Sequence, residues 1–111
     1  MNNLQKPFEG LTPEVVLSGV ETLAGQATGA IMALNSYENR VYEVQMEQGE
    51  PIIAKFYRPG RWQREAILEE HHFTHELASE EVDVVAPLIF EGKTLFEEHG
   101  YYYSLSPKRA G

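Results

Sequence analysis

The chain has 111 residues, a formal net charge of −8 at pH 7 and no cysteine. This is the length of one ordinary domain, and a hydrophobic content of 42% is enough to build a core. The lack of cysteine excludes disulfide scaffolds and thiolate chemistry, and the negative charge disfavours binding to nucleic acid or anionic membranes. No apolar run of about 18 residues and no signal-like start occurs, so we expect a cytoplasmic protein.

The first predicted element is a helix near the amino terminus. Thr12 is typical of an N-cap, and Pro13 suits the first helical position. Val16 and Val20 follow at helical spacing, and Gly25 indicates the end. We assign residues 1–26 to an N-terminal helical extension.

Strands and one long helix are expected in the remainder. Alternating apolar residues and turn signals predict strands over 28–34, 40–46 and 51–57, followed by a helix over 61–79. Two or three short strands are expected after it, with turns at Glu91-Gly92 and His99-Gly100. This order predicts an α+β fold, an antiparallel sheet of about five strands with one long helix inserted after the third strand.

A lysine and a glutamate are out of place in these patterns. Lys55 interrupts the apolar third strand, and Glu70 falls inside the apolar stripe of the long helix. That stripe, expected to face the core, contains Trp62, Ala66, Ile67, Phe73 and Leu77. A carboxylate in such a stripe is costly unless a cation meets it, so a pair between Lys55 and Glu70 is the functional interpretation. The alternative is a lysine on the solvent-facing side of the sheet.

The order of elements around Lys55 is that of a protein-kinase small lobe. There a loop between the first two strands covers the nucleotide phosphates, and the lysine of the third strand pairs with phosphates and with a glutamate of the next helix. One departure is plain, because Asn35, Ser36 and Asn39 stand where glycines are expected. An ordinary hairpin turn is the alternative for this loop.

Four stretches together, "LNSYENRVYEV", "AKFYRPGRW", "ILEEHHF" and "VVAPL", carry a family resemblance. They resemble the amino-terminal part of the bacterial stress response kinases. These are protein-kinase-like members of the aminoglycoside phosphotransferase and choline kinase superfamily. The resemblance covers residues 34–107, and it implies a kinase-like, ATP-binding N-terminal lobe over residues 27–107.

The resemblance also implies roles for individual residues. Lys55 would hold the phosphates of ATP, and Glu70 would orient Lys55. The loop over the phosphates would be formed by Ser36, Tyr37, Glu38 and Asn39. Val41 and Ile53 would line the adenine pocket, with Ser106 and Pro107 at the adenine edge near the hinge.

The machinery for catalysis is not found in this sequence. No His-x-Asp catalytic loop and no Asp-Phe-Gly-like segment occurs, and these supply the catalytic aspartate and the Mg²⁺ ligands in kinases. We therefore assign residues 108–111 to the hinge and the start of a missing C-terminal lobe, and expect the chain alone to be inactive. The resemblance implies that the whole protein phosphorylates Ser or Thr of proteins in a stress response. The alternatives are a lobe of a choline, homoserine or aminoglycoside kinase, and a non-catalytic kinase-like interaction module.

Three further features have simpler explanations. His71 and His75 have a metal-compatible spacing, but polar-face or packing histidines are the preferred interpretation. A basic cluster at Arg58, Arg61 and Arg64 is interpreted as a solvated turn. Apolar groups near Leu105 are expected on the surface facing the missing lobe, where they would favour self-association.

Overall fold

The computed structural model describes residues 7–36 and 38–108. The helices are α1 (Pro13–Ala24) and α2 (Arg64–Ser79). The strands are β1 (Ala27–Leu34), β2 (Arg40–Met46), β3 (Ile52–Phe56), β4 (Phe96–Glu98) and β5 (Tyr101–Pro107). The predicted α+β fold is confirmed: the strands form one antiparallel five-stranded sheet in the order β1-β2-β3-β5-β4.

Helix α1 begins as its sequence predicts. The Thr12 side chain accepts a hydrogen bond from the Val15 amide at 3.3 Å, and proline follows it in the first turn. Val16 and Val20 are completely buried. Because these residues lie one helical turn apart, they form an apolar edge that packs α1 against the sheet.

The face of the sheet that carries α1 contains the main core. The rings of Phe56 on β3 and Tyr103 on β5 stack with their centroids 4.9 Å apart. The Tyr103 hydroxyl donates a 2.7 Å hydrogen bond to the Gly19 carbonyl of α1, which fixes the helix on the sheet. A methyl group at Gly19 would lie 3.0 Å from the Tyr103 ring, so a larger residue here would require the ring to shift. Burial of these rings is the principal source of stability on this face.

Pairing register places a different set of side chains on the opposite face. Lys55 lies opposite Val41 on β2 and Ser104 on β5. One step along, Ile53 lies opposite Glu43 and Ser106. Directly paired residues of an antiparallel sheet share a face, so these side chains lie together on the side away from α1.

The two predicted turns near the carboxyl-terminal strands are confirmed. Glu91 and Gly92 have positive φ angles of 52° and 79°, and His99 and Gly100 have 55° and 85°. Two consecutive residues with positive φ are the signature of the hairpin turn that matches the twist of antiparallel strands. The second of these turns joins β4 to β5 and thereby sets the register of Tyr103 in the core.

Helix α2 differs from its prediction in start and orientation. It begins at Arg64 rather than at residue 61, because a turn closes between Arg58 and Arg61. Trp62 and Phe73, expected in the core stripe, are 44% and 58% exposed. Ala66 and Glu70 are also exposed. The expected core-facing stripe was therefore wrong at these positions, although its member Ile67 is buried.

The buried line of α2 runs through Ile67 and His71 instead. The stripe was misplaced because histidine was treated as a polar residue, and His71 was therefore left out of it. Both ring nitrogens of His71 have hydrogen-bond partners in the interior, at 2.8 Å each, so its burial carries little penalty. The buried line is accordingly rotated by one residue position, about 100°, from the predicted one.

A second correction concerns Leu105. Its side chain is completely buried in the α1-side core, so it forms no part of an exposed apolar surface. Within the residues described, no helix is both long enough and apolar enough to cross a membrane.

Candidate functional site

A cavity of about 270 Å³ lies between the sheet and α2, on the face away from α1. Its walls come from the β1–β2 loop, from β3 and the residue after it, and from α2 with its preceding turn. The lining residues are Glu38, Asn39, Lys55, Tyr57, Trp62, Ala66, Ile67 and Glu70. The predicted functional pair, Lys55 and Glu70, is thus brought to one cavity by strand and helix.

Lys55 is half-buried and lines this cavity without a carboxylate partner among the residues that the structure describes. Among the described residues, no Asp or Glu oxygen lies within 4.0 Å of its ammonium group. The ammonium nitrogen lies 5.1 Å from the centre of the Tyr57 ring, within cation–π range. Glu70 lines the same cavity without forming a direct ion pair with Lys55. The cation is therefore available to an anion that enters the cavity.

The loop before β2 forms the wall of an adjoining, more open cleft. Ser36, Glu38, Asn39 and Val41 line this cleft, and Lys55 lines it too. Lys55 therefore stands between the two spaces. Tyr37, predicted to belong to the same loop site, lies outside the described residues.

Of the predicted adenine-side residues, Val41 lines the cleft beside Lys55, whereas Ile53, Ser106 and Pro107 line a third depression further along the sheet. Ile53 and Ser106 line it, opposite each other in register. Glu43 also lines it, and its buried carboxylate accepts a 3.0 Å charged hydrogen bond from Lys108. Pairing with Lys108 compensates the burial of the Glu43 carboxylate. The predicted site residues that the structure describes are thus distributed along one sheet face.

Two contacts connect the β1–β2 loop to the turn that follows β3. The Arg61 Nε donates to both oxygens of Glu38, at 3.0 and 3.1 Å. Hydrogen bonding and charge attraction from Arg61 hold the pKa of Glu38 below its usual value. The amide of Arg58 donates to the Asn39 side-chain oxygen at 3.2 Å. The basic cluster is therefore more than a solvated turn, since two of its residues hold the loop.

A buried polar network lies behind the cavity. The Tyr57 hydroxyl is 2.8 Å from Nε2 of His71, and Nδ1 of His71 is 2.8 Å from the Thr94 hydroxyl. Burial raises the pKa of Tyr57 to about 12, so its hydroxyl is protonated and can donate to the histidine. The remaining ring N–H then donates to Thr94. Because Tyr57 is a wall of the cavity and His71 adjoins Glu70, this network couples the α2 position to the site.

Several residues that shape this region were not predicted from the sequence. Tyr57 continues the alternation of Ile53 and Lys55, so a period of two would have placed it on the same face. His71 follows Ile67 by four positions and could have been read as part of its stripe. The pairing of Arg61 with Glu38 left no signal in the sequence, because the two residues are 23 positions apart.

Histidines of α2 form no metal centre with their neighbours. Among residues 7–36 and 38–108, no group of three or more His, Asp or Glu side chains could hold a metal ion. His71 has both ring nitrogens occupied by hydroxyl partners, which agrees with the preferred interpretation of a packing histidine.

Comparison with known proteins identifies the family of the chain. The model of the phosphotransferase enzyme family matches residues 30–111. Proteins named stress response kinase A from Shigella flexneri and from Escherichia coli K12 are each 40% identical to the chain over 111 residues. A Salmonella typhimurium protein named serine/threonine protein kinase RdoA is 41% identical. Each alignment covers the whole chain and 34% of the relative, so the chain spans about a third of the length of these curated relatives. The chain belongs to the phosphotransferase enzyme family, and its resemblance to the stress response kinases is confirmed.

Proposed function

We propose that this chain is the ATP-binding small lobe of a kinase-like phosphotransferase. In this proposal Lys55 binds the phosphates of ATP. The observation that carries it is the position of Lys55, which lies between two cavities without a carboxylate partner among the described residues. With a net charge of −8, the chain repels polyanions overall, so a polyphosphate needs a local cation to bind.

The other residues of the sheet face have supporting roles in this proposal. Ser36 and Asn39 would contribute polar groups beside the phosphates, because both line the cleft next to Lys55. Val41 and Ile53 would provide apolar contact for adenine, with Ser106 at its edge. Glu70 would act on Lys55 from across the cavity. ATP supplies the transferable γ-phosphoryl group, and bound Mg²⁺ would neutralise its charge.

For the whole protein, we propose transfer of the γ-phosphoryl group of ATP to serine or threonine hydroxyls of proteins. The name of the Salmonella relative supports this choice. Since the described residues hold no metal cluster, the proposal assigns the Mg²⁺ ligands and catalytic groups to the two thirds of the relatives that this chain does not span. We expect no phosphate transfer from ATP to a generic protein substrate by this chain alone, and robust transfer would contradict that part of the proposal.

The test is an ATP titration of the wild-type chain and the Lys55→Met variant by isothermal calorimetry. Methionine keeps the apolar stem and removes the charge that attracts phosphate. We expect the affinity for ATP to fall about tenfold or more in the variant, as for loss of a charged hydrogen bond.

A matched control separates this local role from the change in net charge. Lys93→Met alters the net charge by the same amount, but Lys93 is an exposed turn residue outside the three cavities. We expect it to bind ATP like the wild type. Equal binding by wild type and Lys55→Met, or no ATP binding by the wild type, would overturn the proposed function.

A further inference from the structure

The loop beside Lys55 carries an acidic residue where an anion would bind. Glu38 lines both the closed cavity and the adjoining cleft, and Lys55 lines the same two spaces. A free carboxylate at this position would repel phosphate groups, because like charges at short range disfavour each other. For phosphate to bind here, the charge of Glu38 must therefore be neutralised, or its carboxylate must point away from the phosphate.

Arg61 meets this requirement in the structure. Its Nε donates to both carboxylate oxygens of Glu38, and its guanidinium carbon lies 4.9 Å from the centre of the Trp62 ring. Arg61 is also the main cause of the lowered pKa of Glu38, through its hydrogen bond and its charge. The carboxylate is thus held by groups from the turn after β3 rather than by Lys55.

A second contact holds the same part of the loop. The Arg58 amide donates to the Asn39 side chain, next in sequence to Glu38. Two successive loop residues are therefore bonded to one turn, Arg58 to Arg61, which is itself closed by a 3.2 Å backbone hydrogen bond. This arrangement ties the loop that carries Glu38 to the turn that carries Arg61.

We propose that Arg61 is a positioning residue for phosphate binding, which neutralises Glu38 and holds it away from the phosphates that Lys55 attracts. This inference rests on the proposed nucleotide-binding function. It assigns Arg61 an effect through Glu38 and no direct contact with the ligand. The recognised chemistry is that of a polyphosphate, because a ligand with negative charge is attracted by Lys55 and repelled by an uncompensated Glu38.

The solvent exposure of Arg61 and Glu38 distinguishes a positioning role of Arg61 from a role in folding stability. The Arg61 and Glu38 side chains are 50% and 37% exposed, and exposed ion pairs contribute little to folding stability. An Arg61→Met variant is therefore expected to fold normally, with a melting temperature close to that of the wild type. Its defect should appear in ligand binding and depend on the charge of the ligand.

The experiment measures affinities for ATP and for adenosine in Arg61→Met, Glu38→Gln and the double variant. Adenosine has the same base and sugar without phosphates. Arg61→Met should weaken ATP binding about fivefold, as expected for one uncompensated charge near the phosphates, and change adenosine binding less than about twofold. The double variant should recover most of the ATP affinity, because it removes the repelling carboxylate as well.

Arg64→Met is the matched control. Arg64 is exposed at the start of α2 and forms no ion pair with the residues that the structure describes, so its loss should leave ATP affinity unchanged. Equal weakening by Arg61→Met for ATP and adenosine would overturn the inference, since it would indicate a structural role. A double variant as weak as Arg61→Met would also overturn it, because Arg61 would then contact the phosphates itself.

Failure of the inference and failure of the proposed function give different results. ATP binding that depends on Lys55 but is unchanged in Arg61→Met would overturn the positioning role alone. Absence of ATP binding by the wild type would overturn both.

Discussion

The two faces of the sheet differ in what their side chains do. On the α1 face, Phe56, Tyr103 and Leu105 are completely or almost completely buried and pack against the helix. On the opposite face, Lys55 and Ser106 are only half-buried and line open spaces. Adjacent residues of the same strands thus belong to two different environments.

This difference separates stability from binding within single strands. Phe56 and Lys55 are neighbours in β3, but alternation directs one into the core and the other into the cavity. Truncating a large apolar group on the α1 face leaves a cavity in the core and lowers folding stability. Removing a charge on the open face has little effect on folding stability. The comparison therefore predicts a hierarchy of effects that mutations can test.

The largest effect is expected from Phe56→Ala. Removal of this fully buried ring leaves a cavity beside Tyr103 and should lower the free energy of unfolding by about 3–5 kcal/mol. Urea denaturation followed by circular dichroism measures it. The control, Ile89→Ala, truncates a side chain that is 58% exposed and should change stability by less than about 0.5 kcal/mol. Similar decreases in the free energy of unfolding for both variants would contradict the role of Phe56 as a core residue.

An intermediate loss of stability is expected from a change in the buried polar network behind the cavity. His71→Leu removes both hydrogen bonds of the ring and leaves the Tyr57 and Thr94 hydroxyls without this partner. The free energy of unfolding should fall by about 1–3 kcal/mol at pH 7.5, as expected for buried polar groups left unpaired.

The same histidine predicts a pH dependence of stability. Burial lowers the pKa of His71, opposed by nearby Glu70 and assisted by Lys55 and His75. Because the folded-state pKa lies below the ordinary value of 6.5, this contribution to stability is present above pH 6.5 and lost as pH falls below it. Urea denaturation at pH 7.5 and 5.5 should show a smaller acid-induced loss in His71→Leu than in the wild type.

His72→Leu is the control for that pH dependence. The His72 side chain is 77% exposed, and its Nε2 lies 3.5 Å from a carboxylate oxygen of Glu76. Its loss should leave the acid-induced change close to that of the wild type. An identical pH dependence in all three proteins would show that His71 does not carry the effect.

The smallest effect is expected from Tyr103→Phe. This change keeps the ring in the core and removes only its hydrogen bond to the Gly19 carbonyl, so the free energy of unfolding should fall by about 1 kcal/mol. Thermal denaturation followed by circular dichroism measures the difference. A loss as large as that of Phe56→Ala would show that the hydroxyl, rather than ring packing, holds α1 on the sheet.

The sequence predicted those parts of the fold that depend on local chemistry. The proline after Thr12 and the glycines of the two late turns set α1 and the hairpins, because cap and turn geometry follow from one or two residues. The predicted orientation of α2 was wrong, since a histidine with two buried partners is indistinguishable in sequence from an exposed one. The sequence predicted a pair between Lys55 and Glu70; the structure places both at one cavity but without a direct ion pair, because their separation depends on how α2 is rotated.

The central claim is that the face around Lys55 binds the phosphates of a nucleotide. Its most direct test is a map of amide chemical-shift changes by NMR, recorded with ATP and with adenosine. We expect the amide shifts specific to ATP to cluster at Asn39, Lys55 and Glu70, and those of Val16 and Val20 on the other face to stay unchanged. ATP-specific shifts centred on α1, or shifts scattered over the surface without a cluster at Lys55, would contradict it.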